Sequence, residues 1–157
     1  MTNYQPSLET ITPEETAEAG VNLIQVIETV IGSLDQSESA MVSHHENEGG
    51  YVWKFKYGSV ETFVQLTGTS DEDTFTVWAS VLNLPVQNES QLTRKLLEMN
   101  WLTTFESHFA IFNNQVVVVS SRTIAELSPG EVSRLITVVA TIADDNDDVL
   151  RSEFGAA

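Results

Sequence analysis

Residues 51–67, YVWKFKYGSVETFVQLT, decide the fold of this chain. Over residues 51–57, aromatic side chains alternate with valine or lysine at a period of two, which predicts a β-strand with one aromatic face. Gly58 and Ser59 are typical of a tight turn, and residues 60–67 again carry valine, threonine or leucine at every second position. The stretch therefore predicts an antiparallel β-hairpin.

Three more strands are expected further along the chain. A turn at residues 68–73 leads into a strand at residues 74–82, with Trp78 on the face opposite its valines. Strands at residues 105–112 and 115–121 flank two asparagines, which tolerate the left-handed backbone of a two-residue hairpin turn. Together these segments predict a five-stranded antiparallel sheet.

Three segments carry the apolar spacing of helices. Residues 12–15, TPEE, form a capping box at the start of the first helix, whose apolar repeat extends to residue 34. A weaker cap at Asn88 predicts a second helix that ends near residue 101. Residues 128–131, SPGE, cap a third helix with a continuous apolar face.

The element order is α-β-β-β-α-β-β-α, which indicates an α+β fold rather than a parallel βαβ sheet. We expect the helices to pack mainly on one face of the sheet. Because no linker rich in glycine or serine interrupts the chain, residues 1–157 are predicted to form a single domain. The ordered core is expected over approximately residues 12–144. Residues 144–157 are expected to form an acidic segment whose carboxylates oppose the helix dipole, so that the helix frays there.

Composition and charge narrow the class of function. The chain has 157 residues, 41% of them hydrophobic, and a net charge of −16, so it can build a core but repels phosphate backbones and anionic lipids. We therefore expect binding to neither nucleic acid nor membrane. The absence of cysteine excludes disulfides and a thiolate nucleophile. With no signal peptide and no apolar stretch of about 18 residues, a cytoplasmic protein is predicted.

One cluster of histidine and glutamate could bind a metal ion. His44 and His45 are adjacent, so their side chains diverge on a helix or a strand. Glu46 and Glu48 follow, but no third ligand stands at the fixed offset that zinc sites show. A solvated polar linker over residues 35–50 is the favoured interpretation, and no metal is expected.

The acidic run at residues 144–148, DDNDD, resembles the start of a calcium-binding loop. Val149 stands where an EF-hand loop needs glycine, and Gly155 stands where it needs glutamate. The motif therefore fails, and a solvated helix end is expected.

Catalytic motifs are absent from the sequence. It contains no Gly-x-Ser-x-Gly elbow, no Ser-x-x-Lys pair and no glycine-rich phosphate loop. His108 lies in a predicted strand beside Phe109, where a surface role is favoured over that of a general base. We expect no catalytic residues and no cofactor, and the chain is predicted not to be an enzyme.

A series of features in residues 96–154 carries a resemblance to a known family. A helix ends in LEMN at residues 97–100, a hairpin spans residues 109–119, and an LSPGE cap at residues 127–131 begins a helix with an acidic end. In this order they resemble the YbjN-like family of small bacterial proteins, whose fold is similar to class I type III secretion chaperones. The resemblance implies a sheet with helices on one side, homodimerisation, and protein binding or a regulatory role.

The second face of the predicted sheet bears most directly on function. Strand alternation that turns Trp53 and Phe55 toward the helices leaves lysines and several aromatic residues on the opposite face. This face needs cover, from another protein or from the chain's own termini. Residues 116–119 are apolar on both faces, which predicts a homodimer. The candidate protein-interaction residues are Phe63, Trp78, Phe112, Lys54 and Lys56.

Three functions remain open at this point. The leading hypothesis is a non-enzymatic protein-binding module, chaperone-like or regulatory, that acts as a homodimer and also binds another protein. The alternatives are a small-ligand-binding sensory domain and a hydrolase with an unrecognised site. The sequence identifies neither the partner nor the geometry of the dimer.

Overall fold

The structure is a computed structural model that describes residues 13–35, 41–45 and 50–155, with side chains from 23 to 35 and from 50 to 155. The capping contact expected of Thr12 lies outside these residues. The elements are α1 (Pro13–Leu34), β1 (Met41–His45), β2 (Gly50–Tyr57), β3 (Val60–Leu66), β4 (Thr74–Asn83), α2 (Glu89–Leu102), β5 (His108–Phe112), β6 (Gln115–Thr123) and α3 (Pro129–Phe154).

The strands form one antiparallel sheet in the order β1-β2-β3-β4-β6-β5. The first predicted hairpin is confirmed, with Trp53 opposite Val64 across β2 and β3. At its turn Gly58 has a φ of 55°, a left-handed conformation that glycine adopts without strain. Asn113 and Asn114 have φ values of 48° and 59° between β5 and β6, as a two-residue hairpin turn requires.

The hydrophobic core lies between one face of the sheet and α3, and α1 packs against α3. Buried positions alternate with less buried ones along β3 and β4, so the period-two pattern of the sequence identified the core face correctly. The predicted α+β class, with an antiparallel sheet and helices mainly on one face, is confirmed. The largest fully buried side chains include Trp53, Phe55, Phe75, Ile27, Ile31, Leu66, Leu92, Ile136 and Leu150.

The caps of the second and third helices differ from each other. The Ser128 hydroxyl accepts a hydrogen bond of 3.2 Å from the backbone N–H of Glu131, which confirms the cap predicted for α3. Asn88 instead has a φ of 56° and makes no side-chain cap, so the side-chain cap predicted there is wrong. Its backbone carbonyl accepts from Leu92 at 3.1 Å. No helix within the described residues combines the length and apolarity that crossing a membrane requires.

A sixth strand lies in the segment that the sequence predicted to be a linker. The prediction of a polar linker over residues 35–50 is wrong at Met41–His45, which pairs with β2 and extends the sheet at one edge. This strand has only five residues and lacks alternation, so its pattern alone does not separate it from a loop. Hydrogen bonding to β2 stabilises this strand, although its own residue pattern does not favour one.

The third helix is longer than the sequence predicted. The expectation of a fraying acidic segment is wrong over residues 144–154, because α3 continues to Phe154. Asp147, Leu150 and Phe154 extend the buried stripe of α3 at helical spacing, and all three are buried. Packing of this stripe outweighs the unfavourable interaction of carboxylates with the helix dipole. That residues 1–157 form a single domain stays a prediction.

Candidate protein-binding surface

The sheet has a second face, opposite the core, on which most side chains are partly or fully exposed. We call this surface the open face. Its side chains come from the strand positions that alternate with the core positions of β2 to β6. The structure brings all five predicted interaction residues to it: Lys54 and Lys56 on β2, Phe63 on β3, Trp78 on β4 and Phe112 on β5.

Three rings form a continuous aromatic row across the open face. Phe63 and Trp78 are direct cross-strand partners, and their rings stack with centroids 5.1 Å apart at an interplanar angle of 10°. Phe112 meets Trp78 edge to face, with centroids 6.2 Å apart and an angle of 78°. Phe63 and Trp78 are half-buried, whereas Phe112 is 51% exposed. The row therefore presents ring surface that the folded chain itself does not bury.

A shallow depression of about 280 Å³ lies beside the aromatic row. Val117 forms its buried floor, while Trp78 and Phe112 stand at its sides. Polar side chains are few, and the Thr76 hydroxyl is already hydrogen-bonded to that of Ser121 at 2.8 Å. The depression thus suits an apolar side chain. Its lining residues are Gln65, Thr76, Trp78, Ala110, Phe112, Val117 and Val119.

Positive charge lies at the β2 end of the open face. The Lys54 ammonium lies 5.8 Å from the centroid of the Phe63 ring and forms an ion pair of 3.1 Å with Glu61. Lys56 is exposed and stands opposite Glu61 in the strand register. These are two of only seven basic residues in a chain with a net charge of −16. The open face therefore combines aromatic surface with local cations.

A second exposed apolar surface was not predicted from the sequence. It lies along α2 and the neighbouring edge strand β5, and we call it the helix-edge patch. The sequence signal was present, because Leu97 and Trp101 are four residues apart and share a helix face that is turned away from the buried Leu92 and Leu96. A two-sided apolar helix is a mark of an interface. The helix-edge patch consists of Leu97, Trp101, Leu102, Phe105 and Ile111.

The two candidate metal clusters are described to different extents, because Glu46 and Glu48 lie outside the described residues and only the backbone of His44 and His45 is described. The acidic run lies on α3, where Asp144 and Asp147 both contact Ser59. His44 and His45 lie in β1. Within the described ranges, no group of three histidine, aspartate or glutamate residues could hold a metal ion.

Shifts in pKa are found away from the open face. The pKa of Glu106 is lowered, chiefly because its carboxylate accepts a hydrogen bond of 2.6 Å from Arg134, and the pKa of Arg134 is raised by the same contact. The pKa of Asp73 is lowered by hydrogen bonds from the hydroxyl and backbone N–H of Ser70, and from Thr67. Each of these contacts stabilises the charged form of its side chain. Glu106 and Arg134 form an ion pair, and Asp73 holds a turn together.

The fold and the open face together define a class of protein. The sheet is covered by helices on one face and carries a partly exposed aromatic row on the other. The chain belongs to the YbjN family, whose model, described as "Putative bacterial sensory transduction regulator", matches residues 24–152. The description of this family is that of a regulator.

A solved structure shows the same fold. A chain in "Crystal Structure of the ExsC-ExsE Complex" is similar to this one with a TM-score of 0.54 and 14% sequence identity, over 83% of this chain and 95% of that chain. At this level of identity the likeness shows the fold alone. It confirms the expected fold similar to type III secretion chaperones. Among curated proteins, no sequence matches this chain.

Proposed function

We propose that this protein is a non-enzymatic protein-binding module, chaperone-like or regulatory, that acts as a homodimer in the cytoplasm. The aromatic row on the open face carries the proposal. Phe63, Trp78 and Phe112 lie in ring contact across three strands and stay partly exposed. Large aromatic side chains dominate the energetics of protein interfaces, because they bury much apolar area and lose little side-chain entropy.

The chemistry of the open face favours a protein segment as the partner. The depression beside Trp78 accepts one apolar side chain, and the stacked rings of Phe63 and Trp78 offer a flat surface for another. The exposed Lys56 lies where it attracts a carboxylate of the same segment, next to Lys54, whose ammonium already pairs with Glu61. An extended segment with apolar residues and a neighbouring acidic residue matches all three features.

The comparisons support a binding role. The family is described as a regulator of sensory transduction, and the solved structure of similar fold is a complex. Both are consistent with a module that works by contact with another protein. The partner proposed for this chain is inferred from the chemistry of the chain's open face.

The test compares Trp78→Ala with the wild-type protein in binding and in stability. If Trp78 anchors a partner, capture of that partner from a native lysate of the source cells falls at least about 30-fold, while the free energy of unfolding changes little. If Trp78 is ordinary core, the free energy of unfolding falls by about 3–5 kcal/mol with no specific loss of binding. The second result would overturn the proposal.

Val149→Ala is the control, because it truncates an apolar side chain that is 56% exposed on α3, outside both the aromatic row and the helix-edge patch. It should leave capture of the partner unchanged. Lys56→Glu tests the electrostatic part, since reversing this charge should weaken capture and reduce its dependence on salt. If wild type and Lys56→Glu capture the partner equally, binding does not require an acidic residue in the partner.

A small-ligand sensor is the second candidate, favoured by the depression on the open face and by the sensory description of the family. The depression is open and slightly below the ~300 Å³ at which ligand pockets usually begin. A ligand that fits it would raise the melting temperature of wild type but not of Val117→Trp, which fills the floor. No residue set for hydrolysis is found on the open face.

A further inference from the structure

We propose that Lys56 and Gln65 determine which protein segment the open face binds. The segment that they select is extended, runs along β3, and carries one acidic and two apolar side chains at alternate positions. The inference rests on the proposed function and deepens it, because it gives the conformation and the residue spacing of the partner. Three features of the open face carry it.

The first feature is the charge of Lys56. All seven basic residues of the chain lie in its described part, and six of them form ion pairs there. Lys56 is exposed and forms none. Glu61, which stands opposite Lys56 in the register of β2 and β3, contacts Lys54 instead. The ammonium of Lys56 is therefore free for a carboxylate of a partner. The six ion pairs are Lys54 with Glu61, Arg94 with Glu98, Lys95 with Glu153, Arg122 with Glu131, Arg134 with Glu106 and Arg151 with Asp147.

The second feature is the side-chain amide of Gln65. This residue is partly buried on β3 and lines the depression beside Trp78. Thr76, the other polar residue of that lining, is already hydrogen-bonded to Ser121 at 2.8 Å. Gln65 makes no hydrogen bond with any residue that the structure describes.

The free amide of Gln65 favours an extended occupant. The main chain of a protein segment offers a carbonyl oxygen and an N–H, which match the donor and the acceptor of a glutamine side chain. An α-helix uses most of these main-chain groups in its own hydrogen bonds, whereas an extended segment leaves them available. Gln65 therefore selects an extended segment over a helix.

The third feature is the position of the two groups on either side of the aromatic row. Glu61, Phe63 and Gln65 alternate on the open face of β3, and their neighbours on β2 follow the same register. Lys56, opposite Glu61, is thus four strand residues from Gln65, or about 13 Å along the sheet. The stacked rings of Phe63 and Trp78 lie between them. Alternate side chains of an extended segment are about 6.6 Å apart on one face, so three of them span the same length.

This spacing defines the residue pattern of the partner. When an acidic side chain contacts Lys56, the side chain two residues further lies over the stacked rings of Phe63 and Trp78. The next one on that face reaches the depression of about 280 Å³, which suits an apolar group. Gln65, at the rim of the depression, hydrogen-bonds the main chain beside this third side chain. The pattern is therefore acidic-x-apolar-x-apolar.

The test titrates the peptide Asp-Thr-Leu-Thr-Leu, blocked at both ends, into the isotope-labelled full chain and follows the N–H signals by NMR. Saturable shifts should occur at the indole of Trp78 and at the side-chain amide of Gln65, and not at the indole of Trp101 on α2. The peptide Asp-Leu-Leu-Thr-Thr has the same composition without the alternation, and it should bind at least about 10-fold more weakly. Equal binding of the two peptides, or no saturable shift with millimolar peptide, would overturn the inference.

A substitution of Gln65 tests the contact with the main chain. Gln65→Leu removes the amide at almost unchanged size and should weaken binding of the alternating peptide at least about 10-fold. Gln25→Leu is the matched control and should bind like wild type, because Gln25 is exposed on α1, which packs on the helical side of the sheet. Full binding by Gln65→Leu would contradict the assignment. If this variant fails to fold, the shift of the Gln65 side-chain amide in wild type decides in its place.

A substitution of Lys56 tests the acidic position. Lys56→Gln should weaken binding of the alternating peptide at least about 5-fold and remove most of its dependence on salt. Arg94→Gln is the control and should bind like wild type, since Arg94 already pairs with Glu98. Unchanged binding by Lys56→Gln would also count against the inference. If the peptide results fail while Trp78→Ala still prevents capture of the cellular partner, the proposed function stands and only the conformation and spacing assigned to the partner are wrong.

Discussion

The hydroxyl of Ser59, in the turn between β2 and β3, donates a hydrogen bond of 2.6 Å to Oδ2 of Asp147, a carboxylate that is fully buried in α3. Asp144 accepts a second hydrogen bond of 2.9 Å from the backbone N–H of Ser59. Arg151 lies 3.7 Å from Oδ2 of Asp147, whose Oδ1 has no hydrogen-bond partner among the described residues. One serine thus ties the first hairpin to the C-terminal half of α3.

Ser59→Ala should lower the free energy of unfolding by about 1–3 kcal/mol, because it leaves a buried carboxylate without its closest donor. Urea unfolding followed by tryptophan fluorescence measures the change. Ser133→Ala is the control, because Ser133 is exposed on α3, the helix that carries Asp147. Its free energy of unfolding should stay within about 0.5 kcal/mol of that of wild type. Equal stability of the two variants would mean that the Ser59 contact contributes nothing.

Gly58→Ala and Gly32→Ala should change stability in opposite directions. Gly58 has a φ of 55°, and a Cβ there would lie 2.2 Å from Oδ1 of Asp144. Its left-handed backbone alone costs alanine about 1–2 kcal/mol. Gly32 lies within α1, where a Cβ meets no atom within 4 Å, so alanine should stabilise by about 0.5–1 kcal/mol. Thermal unfolding of both variants measures the direction of each stability change. If Gly58→Ala is as stable as wild type, a Cβ at this position does not clash with Asp144.

The sheet and its faces were predictable because the signal is local. Alternation at period two in β2, β3 and β4 identified the core face and placed Phe63 and Trp78 opposite it. Two predictions, the linker over residues 35–50 and the fraying of the last helix after residue 144, are wrong because contacts distant in sequence determine the local structure there. β1 forms because β2 offers an edge, and α3 continues past Asp144 because Leu150 and Phe154 pack into the core. Neither contact is visible in a window of neighbouring residues.

The site was only partly predictable for a similar reason. Strand register determined that Phe63 and Trp78 share a face, and alternation extended this to Phe112. The depression beside them depends on side-chain rotamers, which no sequence pattern specifies. The helix-edge patch was not predicted because the buried Leu92 and Leu96 are sufficient to explain the helix, and no local pattern shows whether Leu97 and Trp101 on its other side are covered.

The free energy of unfolding should fall in acid, in part because Asp73 becomes protonated. Hydrogen bonds from Ser70 and Thr67 lower the pKa of Asp73 in the folded chain below its ordinary value of 3.8. The ionised form therefore stabilises the fold above the pKa of the unfolded chain, and this contribution is lost as pH falls through the lower pKa of the folded chain. Asp73→Asn should reduce stability at neutral pH and flatten the decline below about pH 4.

Urea unfolding of Asp73→Asn and wild type at a series of pH values measures this difference. Asp71→Asn is the control, because Asp71 is exposed in the same turn. It should keep the acid dependence of wild type. A parallel decline of Asp73→Asn and wild type in acid would show that the hydrogen bonds to Asp73 do not carry the effect.

Removal of divalent cations should leave the melting temperature unchanged. In the part of the chain that the structure describes, no three histidine, aspartate or glutamate side chains could share a metal ion. The carboxylates of Asp144 and Asp147 instead accept hydrogen bonds from Ser59. A metal that bound only the folded chain would raise its stability in proportion to the logarithm of the metal concentration. Thermal unfolding with a chelator, and with added calcium or zinc, should give superimposable curves. A large fall in the melting temperature with chelator would show that His44 and His45, or the aspartates of α3, bind a metal after all.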